Sequence, residues 1–174
     1  MLSLKIEQRE SVGKNIAEAI VENIKIYLVI KPLQKLFGAN FYADKLEYMR
    51  NLPADSIGHE YAKMLDQNDL KVIPQFAEHD LKHLILGYGM TSAEELKMQA
   101  YLLGNGNYSP ICIGFLSFGI LFPSLWEEFY AEFKKGKAAP SIFNLSLKDC
   151  MEKKSSELKR HFRETQRDPI TSQS

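Results

Sequence analysis

The order of apolar and polar positions along this chain is typical of helices. From residue 11 to residue 35, isoleucine and leucine recur at four-residue intervals with charged residues between them, which predicts an amphipathic helix. No β-type alternation appears. The sequence therefore predicts an all-α, single-domain, multi-helix bundle. Further helices are predicted at 41–50, 56–66, 74–86 and 91–104, where proline, glycine or capping residues mark the ends.

The second half of the chain predicts two longer helices. The first spans 110–135, with an apolar start, an amphipathic continuation and a bend at Pro123. A loop is predicted at 136–140, and a charged helix at 145–162. The predicted domain covers residues 1–165, and residues 166–174 are expected to be a frayed tail.

Composition narrows the function classes. The chain has 174 residues, with 22 Lys and Arg against 22 Asp and Glu, so no general attraction to nucleic acid is expected. Cys112 and Cys150 form no CxxC pair and are predicted to be buried packing residues. Without an apolar signal core near the start, a reducing, cytoplasmic setting is expected. The apolar stretch 111–126 is short for a membrane span, so a buried core helix is favoured over a membrane-touching or lipid-lining segment.

The strongest chemical pattern lies in the helix predicted at 74–86. His79 and His83 are four residues apart and therefore share one helical face. Two imidazoles at this spacing can bind one metal ion. Asp80 lies at the edge of the same face, either as a third ligand or as a group that orients an imidazole N–H.

A fourth candidate ligand follows after a turn. Gly87 and Gly89 let the chain reverse, so Glu95, in the first turn of the next helix, can point back at the histidines. Glu95 has an alternative role as the capping partner of Ser92, unless Thr91 is the cap and Glu94 its partner. Two histidines and two carboxylates suit zinc best, and also iron, manganese or magnesium.

Two flanking residues are weaker candidates for supporting roles. Glu78 is placed to orient a histidine, with a solvated position equally expected. Gln99, one turn after Glu95, is placed to hydrogen-bond a ligand, although a surface position is favoured. His59 and His161 are predicted to be unrelated to the site.

These residues resemble a known motif. His79-Asp80-xx-His83, followed by Glu95 after eleven residues, is similar to the HDxxHx11E motif of the Coq-four family of ubiquinone-biosynthesis proteins. Upstream, Leu52-Pro53-xx-Ser56-Ile57-Gly58-x-Glu60-Tyr61 resembles that family's LP-x-x-T-x-G-x-x-Y segment. Glu78 and Gly87 also stand where the family has them. The resemblance covers about residues 52–104.

The resemblance implies an all-α protein with a divalent cation and a hydrophobic site for a polyprenylated quinone precursor. It implies a role in organising other quinone-biosynthesis proteins at a membrane face, and in replacing the carboxyl group on ring carbon one by a hydroxyl group. By position it assigns four metal ligands, His79, Asp80, His83 and Glu95. Within 111–126 it gives candidates for lipid contact: Ile111, Phe115, Phe118, Leu121 and Phe122.

The chain departs from the family at two places. The family commonly has arginines before the HD pair, where this chain has 72–77, and a lysine where this chain has Gln99. Because these basic groups are absent, the chain is not expected to bind an acidic substrate in the same way as the family. The departures indicate a distant, bacterial member, whose lipid is ubiquinone or another prenylquinone.

Three functions are compatible with these observations. The first is a metal-dependent enzyme, in which the ion stabilises negative charge as carbon dioxide leaves, or activates oxygen if it is iron. The second is a non-catalytic lipid-binding scaffold, peripheral on the inner face of the membrane. The third is a phosphohydrolase of the HD type, with His59 and Asp149 as further ligands. A homodimer is expected in each case.

Overall fold

The computed structural model of the chain describes residues 43–68 and 76–164, together with Ala19. Within these residues the fold is all-α, as the sequence predicts. The helix predicted at 11–35, the helix start at Pro74 and the tail at 166–174 lie outside the described residues. The α-helices are α1 Ala43–Arg50, α2 Ile57–Gln67, α3 Ala77–Leu86, α4 Ser92–Gly104, α5 Pro110–Ser117, α6 Trp126–Ala138, α7 Leu147–Cys150 and α8 Ser155–Glu164.

Side-chain caps begin three of these helices. The Ser56 hydroxyl accepts a hydrogen bond from the His59 amide at 3.2 Å and opens α2. Thr91 opens α4 by accepting from the Glu94 amide at 3.3 Å. Ser109 opens α5 ahead of Pro110. Each cap satisfies an amide that has no partner within its own helix, so the predicted starts near 56, 91 and 110 are confirmed.

The end of α3 is fixed from two directions. Gly87 has φ of 82° and donates its amide to the His83 carbonyl at 2.8 Å, a left-handed helix end that favours glycine. From α8, Arg163 donates Nε to the Ile85 carbonyl at 2.7 Å and a guanidinium nitrogen to the Leu84 carbonyl at 3.2 Å. The last turn of α3 is therefore held by both its own glycine and the last described helix.

Helix α4 separates two apolar clusters. One face packs into the main core with Tyr61 and Leu65 of α2, which are fully buried. The other face contributes Leu96 and Ala100 to a second cluster. That second cluster also contains Phe122, Leu125 and Phe129. Because α4 is covered on both sides, most of its residues are buried, while Glu94 and Lys97 stay partly exposed.

Helices α4 and α6 cross at two glycines. A Cβ atom on Gly136 would overlap the backbone carbonyl of Tyr101, and one on Gly104 would overlap that of Phe133. The Asn105 side chain crosses the same contact and donates to the Gly136 carbonyl at 2.9 Å. The predicted loop at 136–140 is wrong at 136–138, since α6 continues to Ala138, and Gly136 serves this close packing rather than a chain reversal. Residues 139–140 lie outside any helix, as predicted.

The predicted continuous helix at 110–135 is also wrong, although its bend at Pro123 is confirmed. Helix α5 ends at Ser117, and two 3-10 turns, Phe118–Leu121 and Pro123–Leu125, lead into α6. The chain bends by 111° between the two arms, because proline cannot donate the hydrogen bond that would continue the first arm. None of the described helices is by itself long and apolar enough to cross a membrane. The two arms of this bent pair reach that length and apolar composition only when they are counted together.

Much of the apolar stretch at this bend faces outward. Ile111 is 71% exposed and Ile120 is 73% exposed, so the preference for a buried core helix at 111–126 is wrong. Phe122 is the exception among the lipid-contact candidates, because it is 1% exposed and belongs to the second cluster. The outward-facing residues, called here the α5–α6 apolar surface, are Ile111, Ile113, Ile120, Leu121, Trp126 and Tyr130.

The charged helix predicted at 145–162 is interrupted. Helix α7 ends at Cys150 and α8 begins at Ser155. Between them the chain pairs with the start of α2: the Gly58 amide donates to the Met151 carbonyl at 2.7 Å, and Lys154 bridges to Ser56. These long-range hydrogen bonds replace the helical ones. Cys150, like Cys112, is a buried free thiol, as predicted.

The glycine crossing gives a stability prediction. Replacing Gly136 by Ala should lower the free energy of unfolding by about 1–3 kcal/mol, because the added methyl group meets backbone that cannot move aside cheaply. Gly114→Ala is the matched control: it lies in α5 with open space around it, so the better helix former should leave stability unchanged or raise it. Urea unfolding of both variants checks this; equal stabilities would contradict the packing argument.

Candidate metal centre

Helix α3 brings the two histidines together as predicted. His79 and His83 lie one turn apart with ring centroids separated by 4.9 Å. Their Nε2 atoms are 3.2 Å apart. The rings stand at 79° to each other, so both nitrogens converge on one point without stacking of the rings.

The turn between α3 and α4 delivers Glu95 to the same point. Thr91, not Ser92, is the N-cap of α4, and it accepts from the Glu94 amide. Glu95 is therefore free of the capping role that the sequence left open. Its Oε2 atom lies 2.9 Å from the His83 Nε2 atom and 3.3 Å from the His79 Nε2 atom.

The three converging atoms form a triangle with edges of 2.9, 3.2 and 3.3 Å. Ligand atoms about 2.0–2.1 Å from a tetrahedral zinc ion stand about 3.3 Å from one another. The triangle needs little adjustment to match this spacing. His79, His83 and Glu95 thus form a group that can hold a metal ion.

The hydrogen-bonding groups at this triangle call for a cation or a proton between them. His83 Nδ1 is 3.3 Å from the Tyr88 carbonyl oxygen, which can only accept, so Nδ1 must carry a proton. In a neutral imidazole the Nε2 atom then has a lone pair, and here it faces a carboxylate oxygen. Two acceptors at 2.9 Å repel unless a cation or a proton lies between them.

Glu95 is ionised although it is buried, with 2% of its surface exposed. Burial raises the pKa of its carboxyl group, but the hydrogen bonds with His79 and His83 outweigh burial and hold the pKa well below its ordinary value. Gln99 donates its amide to the other carboxylate oxygen, Oε1, at 2.7 Å. Gln99 is buried rather than at the surface as favoured, and it fixes which Glu95 oxygen faces the histidines.

Asp80 stands beside the triangle rather than in it. Its Oδ2 atom accepts from the Tyr61 hydroxyl at 3.4 Å. Burial raises the pKa of Asp80, while the neighbouring His79 and His83 act in the opposite direction. Asp80 as a fourth ligand stays a prediction. Tyr61 ends the upstream segment 52–61, and no signal in the sequence marked its contact with Asp80.

The other candidates lie away from the triangle. Glu78 is exposed on the solvent side of α3. His59 places its Nδ1 atom 3.0 Å from the Arg50 carbonyl, and Asp149 is exposed. Within the described residues, the group that can hold an ion includes neither of them. The ligand set required by the HD-type phosphohydrolase hypothesis is therefore not assembled here.

Sequence reasoning missed one residue of the centre, Tyr88. Its carbonyl is the partner of His83 Nδ1, and its hydroxyl donates to Glu132 of α6 at 2.6 Å. Burial and the Glu132 carboxylate both raise the pKa of this hydroxyl, so it remains the donor. A backbone acceptor leaves no mark in the side-chain pattern, which is why the motif could not reveal it.

The metal centre can be reached from solvent at His79 and through a cleft beside His83. His83 and Glu95 are buried, whereas the His79 side chain is 29% exposed. A cleft of about 790 Å³ also opens beside His83 and Tyr88. Met64, Leu84 and Met90 give its wall an apolar character. A small ligand therefore has space next to the ligand helix without unfolding of the core.

Comparisons with known proteins agree with this architecture. A crystal structure of a candidate ubiquinone biosynthesis protein from Nostoc punctiforme PCC 73102 matches with a TM-score of 0.55 and 19% sequence identity, over 92% of this chain and 91% of that one. The two proteins share a fold. No family-level sequence profile matches the chain, and no curated protein matches it significantly.

The triangle predicts metal uptake. Protein purified without chelator should carry about one divalent ion per chain, and His83→Ala and Glu95→Gln should each lose it because each removes one of three ligands. Elemental mass spectrometry of the folded proteins measures this. Glu78→Gln is the matched control, since Glu78 adjoins His79 in the chain but faces solvent. Equal metal content in all four proteins would contradict the ligand assignment.

Proposed function

We propose that this chain is a metal-dependent protein of ubiquinone or related prenylquinone biosynthesis that acts on a polyprenylated aromatic intermediate. The observation that carries the proposal is the triangle of His79, His83 and Glu95. Two further observations support it: the resemblance of this motif to the Coq-four family, and the fold shared with the Nostoc protein, which is itself described as a candidate ubiquinone biosynthesis protein.

The number of converging side chains favours an enzyme over a structural metal site. Structural zinc sites use four protein ligands, whereas catalytic sites keep one position for water or substrate. Among the residues that the structure describes, three ligand atoms converge here, and Asp80 contacts the Tyr61 hydroxyl. Zinc is the metal best suited to two imidazoles and a carboxylate, and iron or manganese accepts the same donors.

The proposed reaction begins with loss of the ring carboxyl group of the intermediate as carbon dioxide, and a proton takes its place on the ring carbon. Hydroxylation of that carbon by molecular oxygen follows: one oxygen atom enters the ring, and the other leaves as water with two electrons and two protons from an external reductant. A bound ion supplies a Lewis acid that stabilises negative charge on the substrate. Glu95 contributes a buried negative charge that keeps the ion in place, and Gln99 holds that carboxylate in register. Asp80 lies close enough to the histidines to orient a polar group of the substrate.

The prenyl tail of the substrate is proposed to use the α5–α6 apolar surface. A groove of about 310 Å³ lies within it, lined by apolar and aromatic side chains that include Leu116, Ile120 and Phe133. Ala100 of α4 lines the same groove; it directly follows Gln99 and lies one turn beyond Leu96. The tail and the head group would thus lie along one helix.

A scaffold is the second candidate function, and the exposure of the α5–α6 apolar surface favours it. Exposed apolar area of this kind marks contacts with lipid or with other proteins. In this alternative the protein is peripheral on the inner face of the membrane and holds other quinone-biosynthesis proteins there, while the metal ion binds the lipid head group without turnover.

Turnover separates the two functions. The metal-loaded protein should convert a prenylated carboxyphenol to a decarboxylated product, and His79→Ala should abolish product formation while remaining folded, since His79 is the exposed ligand. Mass spectrometry of the lipid extract and circular dichroism are the measurements. Binding of the lipid without product, in the presence of zinc, iron or manganese and air, would favour the scaffold.

Lipid contact is tested by polar substitution. Replacing Ile120 and Trp126 together by Ser should weaken partitioning into phosphatidylcholine vesicles, measured by co-sedimentation, by about 100-fold or more, because burial of each large apolar side chain contributes about 1.5–3 kcal/mol. Phe143→Ser is the matched control, being a similarly exposed aromatic outside this surface. The same loss in Phe143→Ser would indicate nonspecific adhesion instead.

A further inference from the structure

The orientation of His83 depends on a carbonyl in the turn between α3 and α4. His83 Nδ1 donates to the Tyr88 carbonyl, so the plane of the imidazole follows the position of that peptide group. Tyr88 lies between Gly87 and Gly89, and glycines place few restrictions on backbone rotation. The turn therefore needs an anchor outside itself if the carbonyl is to stay aimed at His83.

Helix α6 supplies such an anchor through the side chain of the same residue. The Tyr88 hydroxyl donates to Glu132 Oε2 at 2.6 Å. The other Glu132 oxygen accepts from Lys135 at 2.6 Å, which holds the carboxylate in place. The Tyr88 ring also packs against Tyr101 of α4, with centroids 6.2 Å apart. Tyr88 is thus tied at its hydroxyl to α6 and at its carbonyl to the histidine.

We propose that Tyr88 and Glu132 are positioning residues of the metal centre: their hydrogen bond holds the Tyr88 carbonyl where it orients His83 Nε2 toward the ion. The inference rests on the proposed metal site and adds the residues that orient one of its ligands. Partners that orient a ligating imidazole affect metal affinity by about 10- to 100-fold in proteins. Here the partner of the imidazole is a backbone carbonyl, which side-chain substitution cannot remove. The interaction that substitution can remove is the hydrogen bond between Tyr88 and Glu132 of α6.

The position of α6 gives this tie a further meaning. The same helix begins with Trp126 and carries Tyr130, two members of the α5–α6 apolar surface. Glu132 lies about half a turn beyond Tyr130 along that helix. The tie between Glu132 and Tyr88 therefore links His83 to the helix that carries part of this surface.

Cobalt(II) binding to the full-length protein tests the proposal. Tyr88→Phe and Glu132→Ala should each weaken cobalt binding about 10-fold or more and alter the visible absorption bands of the bound ion, with the stoichiometry unchanged. Glu132→Gln should retain wild-type affinity, because an amide oxygen also accepts from the Tyr88 hydroxyl. Combining Tyr88→Phe with Glu132→Ala should cost no more than either alone, since both remove one interaction.

Tyr108→Phe is the matched control, because it removes a hydroxyl from an exposed tyrosine outside the α5–α6 apolar surface and should leave affinity and spectrum unchanged. Wild-type affinity in Tyr88→Phe and Glu132→Ala would overturn the positioning role while leaving the metal site intact. Equal losses in Glu132→Gln and Glu132→Ala would overturn the hydrogen bond as its cause. A wild-type protein that takes up no cobalt or zinc would overturn the proposed function itself.

Discussion

The buried carboxylate of Glu95 is the constraint on which the rest of this structure depends. An ionised group taken out of water costs several kcal/mol unless it is paired and hydrogen-bonded, and Glu95 is 2% exposed. Its partners are two imidazoles on α3 and the amide of Gln99 on its own helix. The turn at Gly87 and the caps of α3 and α4 bring these groups within reach of one another.

The enclosure of α4 is the reason that ionised Glu95 carries a desolvation penalty. Apolar clusters on both faces exclude water from Glu95, and the glycine crossing draws α6 close enough for Glu132 to reach the turn after α3. Removal of one partner would leave a buried charge unpaired, a larger penalty than the loss of any one apolar contact nearby. Stability and metal affinity are therefore expected to change together when this region is altered.

Much of the fold near the centre could be predicted because the signals there are local. Ser56, Thr91 and Gly87 act on helix ends within four residues, and the spacing of His79 and His83 fixes a shared face. The errors lie where distant segments meet. Gly136 was mistaken for a loop residue because its partner, Tyr101, is 35 positions away. The helix break after Cys150 is likewise caused by a distant segment, because the chain there hydrogen-bonds to the start of α2. The buried position of Gln99 follows from packing between helices, which no local pattern encodes.

The guanidinium of Arg163 at the end of α3 has a consequence for the time course of synthesis. The histidine helix and Glu95 leave the ribosome well before the residue that caps the last turn of that helix. The 68 residues from Glu95 to Arg163 take several seconds to add, at about 5–20 residues per second. During that interval the ligands emerge on a helix whose end is held by Gly87 alone. The second tie to that end, and with it the final geometry of the proposed metal centre, is thus complete only after α8 has been made.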